Sequence, residues 1–404
     1  MSAGLGSDFR RWFWARPRAH GETIEGRRVS SVELLYDLVY VAVIAQTTHT
    51  LGNNLTLPAL VDFIVLFGLA WIGWINGTLY LELHGRSDGR TRSYVFVQMA
   101  ILCLLAVFTG GAATDTGAQF ALTYVAFLLV VGWLFYTVSK VDTPELARST
   151  RRYASIVFVS AVVMGLSAFL APDLRVVVWA GFCVVWLSAM ILLGTRPRTY
   201  SFGIAPTESL VERLDTFTLI VLGEVVLGVV AGLTAAPQNF QTIATGIVAL
   251  IIGLGLWWIY FDIVGGRPAR QHGPAITAWI LSHLPITMAI AAAGAAMVGL
   301  VEHAADPVTP GPTAWLLAGA VAIVLLAEIV TALSFIDKDA EWVTYRPLLG
   351  AMAISAGVAV ALGFLPLAPW ALALALNTLL LALWLVAALR FMRVGAWPPG
   401  SVEE

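Results

Sequence analysis

The sequence predicts an all-α fold, a polytopic membrane protein of about twelve transmembrane helices. Three observations predict it. Apolar residues make up 59% of the 404 and charged residues only 12%, where soluble domains hold about 45–50% and about 25%. Mean hydropathy is +0.84. Apolar runs of the length that spans a bilayer core, about 20 residues, recur along the chain. So little charge cannot solvate a surface of this size, which excludes an ordinary soluble enzyme. Disorder is excluded because it needs low hydrophobicity and high net charge. A net charge of −2 excludes a strongly basic nucleic-acid binder. Cys103 and Cys183 both lie inside apolar runs and read as core packing rather than a disulfide framework.

Twelve segments have spanning length, near 31–51, 59–81, 94–114, 118–139, 153–170, 176–193, 211–233, 240–263, 275–300, 314–336, 348–364 and 367–391. Lipid offers the backbone no hydrogen bonds, so each must be helical. The first thirty residues lack the apolar core of a signal peptide. Within them Phe9-Arg10-Arg11-Trp12-Phe13-Trp14 mixes Arg with aromatics and reads as an interfacial anchor.

Charge supplies the orientation. With the N-terminus placed in the cytoplasm and alternate loops assigned inward, all of the 23 basic residues except Arg175 fall on the inner side. That is a strong positive-inside bias, and it places both termini in the cytoplasm.

The halves echo each other at an offset near 180 residues. Ser30-Ser31-Val32-Glu33 matches Ser209-Leu210-Val211-Glu212, and Tyr80-Leu81-Glu82 matches Tyr260-Phe261-Asp262, with Trp71 and Trp74 or Trp257 and Trp258 preceding. Six spans per half is an even number, so the two repeats run parallel. The expected organisation is a cytoplasmic or interfacial segment 1–30, a first six-helix repeat 31–193, a cytoplasmic linker 194–207, a second repeat 208–392 and a cytoplasmic tail 393–404.

Ionisable groups inside lipid cost at least about 2.5–3.5 kcal/mol at a helix centre and are functional candidates by default. In the first span Glu33 and Asp37 are four apart on one helix face, and Tyr40 and Thr47 continue that stripe. Gln46 and His49 fall roughly opposite. Ser30 and Glu33 form a capping-box pattern, as do Ser209 and Glu212, which is a structural alternative for both carboxylates. Asp37 lies a turn deeper, where capping does not account for it. Span seven carries Glu212, Arg213, Asp215 and Glu224, and Arg213 is expected to pair with a carboxylate. Glu224 is the sharpest feature, twelve residues past Glu212 and roughly 18 Å along the axis. Gly223 and Gly228 flank it and would admit another helix. Desolvation disfavours the charged form of such a carboxyl, which suits it to carry a proton, hold a cation or act as an acid. Glu328 has a similar setting in span ten. His283 precedes Pro285, which removes a backbone bond nearby. Tyr80, Glu82, Trp257, Tyr260 and Asp262 are secondary candidates at helix ends. No His or Cys spacing suggests a metal site, and neither a phosphate loop nor a nucleophile elbow is present. No cofactor is expected.

Two stretches carry a resemblance. Val32-Glu33-Leu34-Leu35-Tyr36-Asp37-Leu38-Val39-Tyr40-Val41, continuing to Gln46 and His49, resembles the opening signature E-L-x-x-D-L-V-[FY]-V…Q…H of the bacterial low temperature requirement A family. Glu212-Arg213 through Leu222-Gly223-Glu224 is similar to its second signature, E-R-x-x-x-F-x-x-I-x-L-G-E. Relatives often have His where Ser209 stands and Gly where Asp215 stands. The resemblance implies a polytopic membrane protein and points to Glu33, Asp37, Gln46, His49, Glu212, Arg213, Gly223 and Glu224. The costly charges, read independently, select nearly the same set.

The expected function is transport or conduction of a small solute or ion, with intramembrane carboxylates as proton or cation sites. The alternative is an intramembrane enzyme that acts on a lipid-soluble, isoprenoid-like substrate by acid catalysis. The expected location is a bacterial cytoplasmic (inner) membrane. The expected partners are the lipid bilayer and a small-molecule or ion substrate; nucleic acid is not a partner, and a homodimer stays open.

Overall fold

A computed structural model describes residues 12–13, 15–22, 24, 26–194, 204–337 and 341–394. All regular structure among them is helical. The helices are α1 (Ser31–Asn53), α2 (Leu57–His84), α3 (Gly89–Thr109), α4 (Gly117–Val138), α5 (Pro144–Ser167), α6 (Pro172–Gly194), α7 (Glu208–Ala235), α8 (Phe240–Ile259), α9 (Gly273–Glu302), α10 (Gly311–Phe335), α11 (Trp342–Gly363) and α12 (Pro369–Arg393). A five-residue π turn, Tyr260–Val264, extends α8. Phe9 to Arg11 and Trp14 of the expected anchor, the basic residues Arg196, Arg198 and Lys338, and the tail beyond 394 lie outside the described residues.

Each expected segment overlaps one helix, although α5 begins nine residues before its expected start and α3 ends five residues before its expected end. Ten are long and apolar enough to cross a membrane. α1 and α5 are not among the ten, for chemical reasons. α1 carries Glu33, Asp37 and the polar run Gln46-Thr47-Thr48-His49-Thr50, and α5 opens through Glu145, Arg148, Arg151 and Arg152. Helix starts are locally encoded. Asp88 and Asn239 accept from the Thr91 and Thr242 amides at 2.8 and 2.9 Å. Proline sits in the first turn of α5, α9, α10 and α12, where its missing amide costs no helical bond.

Arg175 is buried and donates from Nη2 to the Leu170 carbonyl at 2.8 Å and from Nε to the Ser167 carbonyl at 3.3 Å. It thus caps the Leu170 carbonyl just past α5 and shares the Ser167 carbonyl with the Leu170 amide. Cys103 and Cys183 are both free thiols, the first exposed and the second buried.

The chain forms two compact units, Met1–Gln46 with Val65–Arg213, and Thr47–Ile64 with Leu214–Glu404. The division runs through three helices. α1 and α7 begin in the first unit and end in the second, and α2 does the reverse.

In the first unit, the segment before α1 folds back onto helix ends. The Arg18 amide donates to the His84 carbonyl at 3.2 Å. The His20 amide and Nδ1 bond the two oxygens of Asp142 at 3.0 and 2.8 Å. α1 shows its inner face to this unit at Glu33, Tyr36, Asp37, Tyr40, Val43 and Ile44, all buried, with the spacing of one helical stripe.

In the second unit α9 is the hub, with 83% of its spanning stretch buried against 22% for α6 of the first unit. Its stretch from Ala289 to Gly299 is mostly Ala and Gly, so neighbouring backbones come close. A Cβ at Gly228 of α7 would collide with the Gly294 carbonyl, and a Cβ at Gly294 would stand 2.7 Å from the Glu224 carbonyl carbon. Gly228 therefore makes the close approach expected of it, as small residues do between membrane helices. Gly223 does not, because nothing lies within 4 Å of a Cβ built there.

Candidate functional site

In the first unit the α1 stripe meets the opening turns of α7. Arg213 is wholly buried and donates from Nη2 to Asp37 Oδ1 and from Nε to Oδ2, the latter at 3.4 Å. This is the pairing expected for Arg213. The Trp74 indole donates to Asp37 Oδ1 at 2.8 Å. The Tyr36 ring lies under the Arg213 guanidinium, 5.9 Å from its centroid. Gly77 leaves the room that the Tyr36 hydroxyl fills, since any Cβ there would overlap it.

One turn earlier, Glu33 closes its capping box. The Ser30 amide and hydroxyl donate to Oε2 at 2.8 and 2.9 Å. Glu33 Oε1 stands 4.0 Å from Arg213 Nη1 and is ion-paired to Arg27. Arg27 also pairs with Glu82, which accepts from Ser209 Oγ at 2.7 Å and Thr207 Oγ1 at 2.8 Å. Two guanidinium groups and three carboxylates thus form one network in which every carboxylate has a cationic partner, and such pairing is what burial requires. Arg18 adds donors to the Leu81 and Glu82 carbonyls. Burial and then the neighbouring Arg27 hold its guanidinium below the ordinary range.

The second capping box does not form. α7 starts at Glu208, so Thr207 is the cap, and its hydroxyl accepts from the Leu210 amide at 3.2 Å. Ser209 turns to Glu82 instead. Glu212 is exposed and accepts from the Val29 amide at 3.3 Å.

The second unit holds the other group. Asp215, in the second turn of α7, accepts from the Tyr260 hydroxyl at 2.8 Å and from the Gly266 amide at 2.8 Å. Tyr260 opens the π turn, and Gly266 comes after it at φ +72°, a left-handed conformation that glycine adopts readily. The extra residue of a π turn rotates the chain beyond it. Here it brings a ring and an amide onto the two oxygens of one carboxyl. The Tyr260 hydroxyl also lies 3.0 Å from His283 Nε2, and His283 Nδ1 lies 2.6 Å from the Trp279 carbonyl.

Two carboxyls lie deeper. Glu224 is hydrogen-bonded to Thr48, but its Oε1 has no partner among the described residues. Glu328 is fully buried in α10, and neither of its oxygens has a partner among them. One turn along, Thr331 shares a 2.7 Å hydroxyl bond with Ser282, the neighbour of His283.

The remaining candidates stand apart. Gln46 and His49 lie on the face of α1 opposite the buried stripe, and the His49 ring is 3.3 Å from the Asn53 side-chain nitrogen. Tyr80 packs against Phe135 with ring centroids 5.4 Å apart. Asp262 accepts from the Trp384 indole at 2.7 Å. Trp257 and Trp258 are partly exposed, unlike the fully buried Trp71 and Trp74. Arg27, Trp74, Thr48 and Gly266 were not candidates in sequence terms. Only Gly265-Gly266 after a helix end carried a local signal, that of a sharp turn.

A curated relative from Rhizobium meliloti (strain 1021), an uncharacterised protein, is 25% identical over 284 residues, 66% of this chain and 68% of the relative. The family model for the bacterial low temperature requirement A protein (LtrA) matches residues 28–389, which include both signature stretches and, apart from Arg18 and Arg27, both clusters. The chain is a multi-pass membrane protein that belongs to the bacterial low temperature requirement A family.

Proposed function

We propose that the protein is a transporter or channel for a small solute or ion, and that buried carboxyls of its second unit are the proton or cation sites. The observation that carries this reading is Glu328, fully buried with both oxygens unpartnered among the described residues. Glu224, with one such oxygen, supports it. Buried polar atoms almost always have partners, and an ionisable group left unpaired in a membrane helix is a functional candidate because of its cost. The first-unit carboxylates differ, because each is ion-paired to Arg213 or Arg27. We assign those to holding α1 and α7 in place. The reading further takes α1 and α5 as spans, 31–193 and 208–392 as parallel repeats, both termini as cytoplasmic and the bacterial inner membrane as the location.

Flux tests it. Purified protein in proteoliposomes is expected to move protons or monovalent cations, read by a pH-sensitive dye and by ion-selective electrodes. Glu328→Gln and Glu224→Gln should each lower the rate by about tenfold or more. Full flux in both variants overturns the assignment. Absence of any flux, with conversion of an added isoprenoid lipid, would replace transport by catalysis.

A further inference from the structure

The hydrogen-bond geometry at Tyr260 fixes a proton count. A backbone carbonyl only accepts, so the 2.6 Å contact with the Trp279 carbonyl requires a proton on His283 Nδ1. The Tyr260 hydroxyl then makes two further short contacts, 2.8 Å to Asp215 Oδ1 and 3.0 Å to His283 Nε2. Each contact needs one proton, and a phenol supplies one. The second must sit on Asp215 Oδ1 or on His283 Nε2. An ionised Asp215 beside a neutral His283 leaves the chain one proton short.

The surroundings do not supply it. The Gly266 amide donates to the other oxygen of Asp215. Thr218 is hydrogen-bonded to Tyr260 and its hydroxyl also reaches the Leu214 carbonyl at 2.9 Å, but neither bond puts a proton between Tyr260 and Asp215 or His283. From α10, Glu328 is within electrostatic range of Tyr260, and a carboxylate there would favour a cation on His283 over a second anion.

We propose that Asp215, Tyr260 and His283 form a proton relay that stores one exchangeable proton and passes it between the carboxyl and the imidazole through the phenol. In the transfer, the Asp215 O–H bond breaks as an O–H bond forms at Tyr260. The original Tyr260 O–H bond breaks as an N–H bond forms at His283 Nε2. The products are a carboxylate and an imidazolium, with Tyr260 restored and no net change in charge. The relay joins two helices, with Asp215 in the second turn of α7 and His283 ten residues into α9. As the coupling site for a transported solute it rests on the transport reading; the proton count does not.

The count can be read without any substrate. Full-length protein in lipid nanodiscs, labelled at the Asp carboxyl carbons and His ring nitrogens, is observed by NMR at neutral pH. Asp215→Asn and His283→Gln assign the signals. The expected result is either a protonated Asp215 with a bare His283 Nε2, or an ionised Asp215 with both His283 nitrogens protonated. An ionised Asp215 together with a neutral His283 overturns the relay. Tyr260→Phe gives the second arm. It should separate the two titrations and change the proton affinity of His283 by about tenfold, one pH unit. An unchanged titration in a folded Tyr260→Phe protein also overturns it. Because flux is not the readout, loss of the transport reading and loss of the relay remain distinguishable.

Discussion

Asp37 and Arg213 show how much one buried pair can hold. Asp37 accepts from two nitrogens of Arg213 and from the Trp74 indole, and neither charged residue is exposed. Removing one partner strands the other charge, which in such sites costs about 3–5 kcal/mol. Asp37→Asn is therefore expected to destabilise the detergent-solubilised protein by about that amount. Asp37→Asn combined with Arg213→Gln should recover a large part of the loss, read by thermal unfolding. Equal losses in the single and double variants would mean that the pair is not a unit. The sequence revealed Asp37 as a cost without a local explanation, and Arg213 as a group in need of a carboxylate. It could not reveal their meeting, because 176 residues separate them and no local spacing encodes a contact at that range. Arg27 was hidden more thoroughly. Its charge counted toward orientation, and nothing nearby distinguished it from Arg28.

At the scale of elements, small residues decide which helix surfaces touch. Gly294 of α9 faces the α7 backbone at Glu224, whereas Gly223 of α7 faces open space. Gly294→Val is expected to destabilise the protein by about 1–3 kcal/mol through overpacking, and by pushing α7 away it should also disturb Glu224. Gly223→Ala should be neutral or stabilise by up to about 1 kcal/mol, since alanine is the better helix former. Unfolding midpoints of the two variants check the contrast, and equal shifts would contradict the packing described for α9. In the sequence both glycines near Glu224 were equivalent candidates. Which one packs depends on how α7 is rotated, and a hydropathy pattern this uniform does not define rotation. The π turn after α8 was equally illegible, because an inserted residue changes the phase of a helix without changing its composition.

For the molecule as a whole, span positions were legible because length and apolarity are local properties imposed by lipid. Tertiary attachment of the segment before α1 was not. Arg18 is 3% exposed and donates into the carbonyl end of α2, and two residues on His20 binds Asp142. The bond after Arg18 should therefore resist trypsin in the folded protein. Asp142→Ala releases His20 and should speed that cleavage by about tenfold or more, measured by mass spectrometry of the released fragment. Equal rates would show that the His20 contact does not hold the segment.

The unequal burial of α9 and α6 bears on how freely the gene can vary. α6 turns most of its surface outward, so substitution of one large apolar residue by another should leave the protein intact at most of its positions. α9 has neighbours on nearly every side, with backbone against backbone at Gly294. Mutational tolerance should therefore be lowest in the helix whose alanine-rich sequence looks the least distinctive.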